Sequence, residues 1–183
     1  MTTYRTERLL LRPFSADDFD AVFAIYSRAD VARYLYQAPR SEPEARDMLH
    51  RRIGNRAVQR RGDTLSLAVV LEETGRLVGD CFVRWLDDEH LQGEIGFAFH
   101  PDHQGRGYAT EAARVLLRIA FEDVVLHRVV GRLEARNSAS ERVLQKLGMR
   151  REAHFVENEF VKDEWQSELV YAILRTEWLA AQG

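Results

Sequence analysis

Residues 100–121 read HPDHQGRGYATEAARVLLRIAF. Gly105, Gly107 and Ala109 alternate there with larger residues and lead directly into an amphipathic run. Glycines let the consecutive backbone N–H groups of Gln104, Gly105, Arg106, Gly107, Tyr108, Ala109 and Thr110 turn toward one point. A helix that starts at that point adds partial positive charge from its dipole. Such a nest holds a phosphate or pyrophosphate, and Arg106 can add a charge. The competing explanation is a tight turn that needs positive φ, and the residues by themselves allow both. Two familiar phosphate loops are excluded. The stretch lacks the lysine of a Walker A loop. Thr110 stands where the third glycine of G-x-G-x-x-G belongs, and several strands precede the loop instead of one. His100 and His103 flank the loop, but no further ligands cluster with them, so no metal is expected. Cys81 is the only cysteine; in an apolar strand without a neighbouring base, it reads as core.

A loop of this kind needs a strand to deliver it and a helix to carry it away. GEIGFAFH supplies the strand. The helix follows, with Ala109, Ala112, Ala113, Leu116, Leu117 and Ala120 on one stripe and Glu111, Arg114 and Arg118 outside it. Upstream, ERLLLRPF reads as a strand stopped by Pro13, and SADDFDAVFAIYS as a helix capped by Ser15. SEPEARDMLHRRI reads as a second helix, with Ser41 and Glu44 spaced as a capping box. LSLAVVL and RLVGDCFVRWL are strands joined at the hairpin signal EETGR. Downstream come a strand at HRVVGRLEA, a helix at SASERVLQKLG, and closing strands around REAHF and ELVYAIL. The predicted order is β-α-α-β-β-β-α-β-α-β-β. It describes one mixed α/β domain over residues 1–183, antiparallel in its first half and with a crossover helix in its second.

Composition narrows the function classes. The chain has 183 residues, 45% of them hydrophobic and 30% charged, with a net charge of -3. That balance argues against a nucleic-acid binder that works through bulk charge. The start carries charge among its apolar residues and has no signal-peptide core. No uninterrupted apolar run reaches the ~18 residues of a membrane span. A soluble, cytoplasmic domain is the expectation.

Four segments carry a further signal. QGRGYA (104–109) fits the pattern Q/R-x-x-G-x-G/A, and NSASERVLQKLGM (137–149) fits N-x-x-S-x-x-V-L-x-K-x-G followed by a large apolar residue. TERLLLRPFSADDFDAVFAIYSRADVARYL near the start and WQSELVYAILRTEW near the end complete the set. In these segments the chain resembles the GNAT N-acetyltransferases, which use acetyl-CoA, and within them the RimJ/RimL-like branch. Ser167 departs from that branch, where an aspartate is common. The resemblance implies an α/β (α+β) GNAT fold: a twisted, mostly antiparallel mixed sheet of about seven strands, flanked by about four helices. That sheet would split in a V between its fourth and fifth strands to admit the pantetheine arm. By the same resemblance, the amides of the glycine loop hold the pyrophosphate of acetyl-CoA. The backbone of Phe97, Ala98 and Phe99 pairs with the arm, and Asn137 contacts it. No metal, nucleic acid or membrane is implied, and relatives include both monomers and homodimers.

Acyl transfer from a thioester to an amine needs a neutral nitrogen, donors for the oxyanion and a proton for the departing sulfur. The family performs it by direct transfer in a ternary complex, with a backbone N–H near Phe97 facing the oxyanion. Many relatives place a tyrosine acid seven residues after the motif asparagine; that position here is Leu144. The RimJ/RimL-like branch carries a serine instead, which makes Ser140 the candidate acid. Ser138 and Glu141 are also spaced as a capping box, in which case Ser140 merely shares in a helix start. Glu94 and Glu134, on the strands flanking the V, are the candidate bases, with a water chain as the alternative. Strand alternation sends each to one face without saying which. Trp85, His154, Glu157 and Trp165 are candidates for the acceptor pocket, against plain packing positions. The branch implies a peptide N-terminal amine as acceptor. The alternatives are a small amine (amino acid, polyamine or antibiotic) or, given Leu144, a silent acyl-CoA-binding module.

Overall fold

Alternating burial sets the strands. Leu9 and Leu11 are fully buried in a strand where Leu10 and Arg12 point the other way. In the run TLSLAVVL, Leu65, Leu67 and Val69 join one apolar cluster, while Ala68 and Val70 join another on the opposite face. Both faces are covered, so the run reads as continuously apolar. The computed structural model describes residues 2–182. Among these, eight strands form one sheet: β1 (Tyr4–Arg5), β2 (Leu9–Arg12), β3 (Thr64–Leu71), β4 (Leu77–Asp87), β5 (Gln92–Phe99), β6 (Arg128–Glu134), β7 (Arg150–Val161) and β8 (Glu164–Leu174). Their spatial order is β1-β2-β3-β4-β5-β6-β8-β7, and β5 with β6 is the parallel pair.

Six helices accompany the sheet: α1 (Phe19–Tyr26), α2 (Ala29–Ala32), α3 (Glu42–Gly54), α4 (Tyr108–Arg118), α5 (Ser138–Lys146) and α6 (Arg175–Ala180). The sequence predicts seven strands and four helices. The additional elements are β1, two residues long, α2, four residues long, and the six-residue α6. Segments that short show no usable periodicity. Helices α1 and α3 cover one face of β2–β4; the predicted Ser41–Glu44 box caps α3, with the Ser41 N–H donating to Glu44 at 2.8 Å. Helix α4 lies on the other face, where Ala112, Ala113, Leu116 and Leu117 are wholly buried, as its stripe predicts. It ends in one wider turn at Ile119–Asp123.

The feature that positions the site is the parting of β5 from β6. Strand β5 pairs with β4 along its whole length, as far as Phe99 opposite Gly79. It pairs with β6 only at Gln92–Arg128, Gly93–Val129 and Glu94–Val130. Strand β6 meanwhile follows β8 as far as Glu134 opposite Glu168. Beyond Glu94 and Val130 the two strands diverge, each still held by its outer neighbour. The flank of residues 95–99 faces a gap.

Candidate active site

Two clefts open on that gap. The first, of about 400 Å³, runs from Phe97, Ala98 and Phe99 past the glycine loop to Asn137 and Ser140 on α5. Gly105 (φ 74°) and Gly107 (φ 85°) both adopt the left-handed region, and Gly107 is the residue that caps α4. The tight turn and the bare amides are therefore one arrangement: positive φ aims the loop, and the absence of side chains leaves its N–H groups open. Gln104 Nε2 donates to the Phe99 carbonyl (3.0 Å), fastening the loop to the strand end.

Arg8, which the sequence does not single out, braces the loop from behind. Its guanidinium donates to the Arg106 carbonyl (3.1 Å) and to Glu111 in the first turn of α4 (2.6 Å). Burial alone would raise the Glu111 carboxyl; the Thr6 hydroxyl and Arg8 outweigh it and hold that carboxyl below the usual range. Glu111 is thus an ion-paired fixture behind the loop. The Arg106 side chain is exposed and does not line the cleft. His103 does line it, and both of its ring nitrogens are buried without a protein partner. Burial, with Arg76 and Arg106 nearby, pushes that ring below the ordinary histidine range.

The second cleft, of about 430 Å³, lies on the sheet side of the first. The two share Tyr34, Leu35, Phe97, Asn137 and Ser140. Asn137 caps α5, its side-chain oxygen accepting from the Ser140 N–H at 3.1 Å. This corrects the predicted capping box: Glu141 instead accepts from the Tyr171 hydroxyl at 2.6 Å, so Ser138 does not cap the helix. Ser140, in the first turn of α5, stands where the clefts meet. Leu144 is buried against Gly131, where any Cβ would lie 2.8 Å from its methyl. Leu144 packs there and also borders the second cleft, so the position of the missing tyrosine lies at the site but carries no hydroxyl.

Carboxylates outnumber cations in the second cleft: Glu94, Glu134, Glu159 and Glu168 line it, against Arg84 and Arg132. Arg132 is already paired with Glu168 at 3.1 Å. Burial raises the Glu94 carboxyl above the usual range, an effect that Arg84 and Arg132 only partly offset. The Glu134 side chain is 5% exposed; one oxygen accepts from Arg136 Nε at 2.8 Å, and the other is buried with no partner.

A family model described as an acetyltransferase (GNAT) domain matches residues 8–150. The chain belongs to the GNAT acetyltransferase family. It is 34% identical over 173 residues to the N-acetyltransferase YnaD of Bacillus subtilis, covering 94% of this chain and 97% of that one. Spermidine N(1)-acetyltransferase of Escherichia coli is 23% identical over 171 residues, or 93% and 88% of the two chains. Among solved structures, a GNAT-family acetyltransferase from Bacillus anthracis superposes with a TM-score of 0.86 at 33% identity, covering 96% of this chain and all of that one. The fold alone is shared with spermidine N-acetyltransferase from Vibrio cholerae, solved with CoA and spermine (TM-score 0.80, 20% identity, 95% and 99% covered).

This GNAT enzyme is an acetyl-CoA-dependent N-acetyltransferase, and its first cleft suits that donor. A diphosphate fits bare amides at a helix start. An amide-bearing arm fits the unpaired flank of residues 95–99, and the two orphaned nitrogens of His103 offer a polar ligand its contacts. Ser140 and Asn137 stand at the junction of the clefts, and Glu94 and Glu134 line the second cleft beside them. Trp85, His154, Glu157 and Trp165 line neither cleft. The Trp85 ring donates to the Asp87 carbonyl (2.8 Å), and Trp165 packs edge-on to Phe160 (5.3 Å between centroids). A bulge accounts for Glu157: the β7 register shifts between Phe155 and Glu159, Glu157 itself takes a φ of 46°, and Glu159 lines the cleft instead. Tyr34, Leu35, Tyr36 and Glu168 were not legible from sequence, since only the folded chain carries 34–37 across the sheet to β8.

Proposed function

We propose that this GNAT enzyme, of RimJ/RimL-like pattern, moves the acetyl group of acetyl-CoA directly to a primary amine of a small cationic molecule of the polyamine class. The observation that carries this reading is the second cleft: it meets the first at Ser140 and Phe97, and four carboxylates line it against two arginines, which leaves it net negative. One of those carboxylates, Glu134, has a buried oxygen that an ammonium group would satisfy. The resemblance over nearly the whole chain to a spermidine acetyltransferase supports the same acceptor class.

In this reading the amides of residues 104–110 bind the diphosphate, and Phe97, Ala98, Phe99 and Asn137 hold the arm. Glu94 takes a proton from the acceptor ammonium, and the burial that raises its affinity for protons favours that role. The freed nitrogen attacks the thioester carbon, with a backbone N–H near Phe97 facing the oxyanion. The C–S bond then breaks, the new amide nitrogen sheds its second proton to solvent, and the Ser140 hydroxyl protonates the departing sulfur while regaining a proton from solvent, to which Glu94 releases its own. Glu134 anchors the acceptor instead of acting as a base, because Arg136 already holds one of its oxygens.

A second acceptor, a peptide N-terminus, is favoured by one observation. The β7–β8 hairpin exposes Phe155, Val156, Phe160 and Trp165, the kind of apolar surface a peptide chain could use. Release of free thiol from acetyl-CoA, measured with polyamines in one pool and peptides of varied N-termini in another, separates the two. Turnover with polyamines is expected. Turnover confined to peptides would replace the acceptor, and silence in both pools, with acetyl-CoA still bound, would leave a binding module.

A further inference from the structure

Lys162 is one of two lysines in the chain, and its surroundings are unlike those of an ordinary surface lysine. Val161 faces Glu164 across the β7–β8 turn, so Lys162 and Asp163 are its two central residues, with φ of 52° and 62°. That geometry favours asparagine and glycine. A lysine there carries backbone strain, which persists only where the surroundings hold it. Here they do. Its ammonium donates to the carbonyls of Ala32 (2.7 Å), Arg33 (3.1 Å) and Leu35 (2.8 Å), using all three of its protons. These carbonyls belong to the end of α2 and the irregular segment after it, where a cation is favoured.

The segment so gripped is the wall that both clefts share. Tyr34 and Leu35 line the junction, and Tyr36 and Gln37 continue along the second cleft alone. Residues 33–37 belong to no helix or strand. Their other side-chain tie to the sheet runs through the exposed Tyr36, whose hydroxyl lies 3.3 Å from Glu168 and also bonds with Glu159. We infer that Lys162 is a positioning residue for the acceptor: a clasp from the tip of the β7–β8 hairpin that holds residues 33–37 in place as the wall of the acceptor cleft. It touches no reacting atom and acts through the wall. The inference rests on the second cleft being the acceptor site, but not on which amine occupies it.

Two variants separate the clasp from plain stability. Lys162→Met keeps the length and removes the donors, whereas Lys162→Arg keeps donors. In Lys162→Met, amide hydrogen exchange at residues 33–37 is expected to rise about tenfold while that of α4 stays unchanged. Spermidine KM is expected to rise by a similar factor, with kcat within about threefold of wild type and acetyl-CoA affinity weakened less than the acceptor KM, since of residues 33–37 only Tyr34 and Leu35 reach the first cleft. Lys162→Arg should recover most of both. Unchanged exchange at 33–37, or a rise spread evenly over the fold, would overturn the clasp. Faster exchange with an unchanged acceptor KM would overturn its effect on the acceptor. If the wild-type enzyme acetylates peptides and not spermidine, the polyamine reading fails; the exchange data still decide the clasp, and the KM comparison moves to the peptide.

Discussion

At the residue scale, the division of labour between two glutamates rests on their surroundings. Glu94 is raised by burial and only partly relieved by two arginines, while Glu134 is held by Arg136. A base must be ionised, so activity should fall as pH drops through the raised value of Glu94, above the usual carboxylate range. Glu94→Gln is expected to remove that acidic limb of the pH–rate profile and to lower kcat about a hundredfold or more. Stability should move the other way. A carboxyl raised on folding stabilises the fold below its unfolded value, and that contribution is lost as pH climbs through the folded one. At neutral pH the glutamine variant should therefore melt at a higher temperature than wild type, and calorimetry checks it. A lower Tm would show that the Glu94 charge is well paired. Ser140→Ala is expected to slow turnover by at least about tenfold, with acetyl-CoA affinity changed much less. Loss of affinity alone, read by titration calorimetry, would make Ser140 a donor contact and not an acid.

At the element scale, α4 and its loop do separate work. The helix is a buried mount: Leu117 is wholly enclosed, and Leu117→Ala should cost about 2–5 kcal/mol in denaturant unfolding. The loop is a backbone device. Gly107→Ala places a Cβ 3.4 Å from the Arg8 guanidinium, in a conformation that L residues rarely adopt. It should cost about 1 kcal/mol or more of stability and weaken acetyl-CoA binding, and paired unfolding and binding titrations read both. The α4 stripe and the strand before the loop were legible in sequence because each is a local periodicity. The brace from Arg8 to Glu111 was not, because it joins residues 103 positions apart.

At the scale of the whole molecule, the parting of β5 from β6 turns a sheet into a site. In the proposed reading one side receives the donor and the other the acceptor, with Ser140 and Asn137 between them. Because acetyl-CoA binds only the folded arrangement, it should raise the unfolding temperature in a concentration-dependent way, by about 2.7 kcal/mol of stability at a hundred times its Kd. Thermal shift against acetyl-CoA concentration checks this, and an invariant Tm would mean that acetyl-CoA does not bind the folded protein. The acceptor wall also exists only at this scale. It joins the α2 segment to the tip of a hairpin some 130 residues away, and no local pattern announces that meeting.

Local order sufficed for much of this protein. Side-chain period, caps and turn residues specify seven of the strands and four of the helices. The two glycines with their following alanine stripe mark the donor loop, and the asparagine-to-glycine motif marks α5. All of these act through neighbours in the chain, so they are visible in it. Tertiary structure decided the rest: that Glu94 and Glu134 share one cleft, that Glu159 lines it in place of Glu157, and that Lys162 grips the far wall. Each depends on strand register, a bulge or a long-range hydrogen bond, where a shift of one residue sends a side chain to the opposite face.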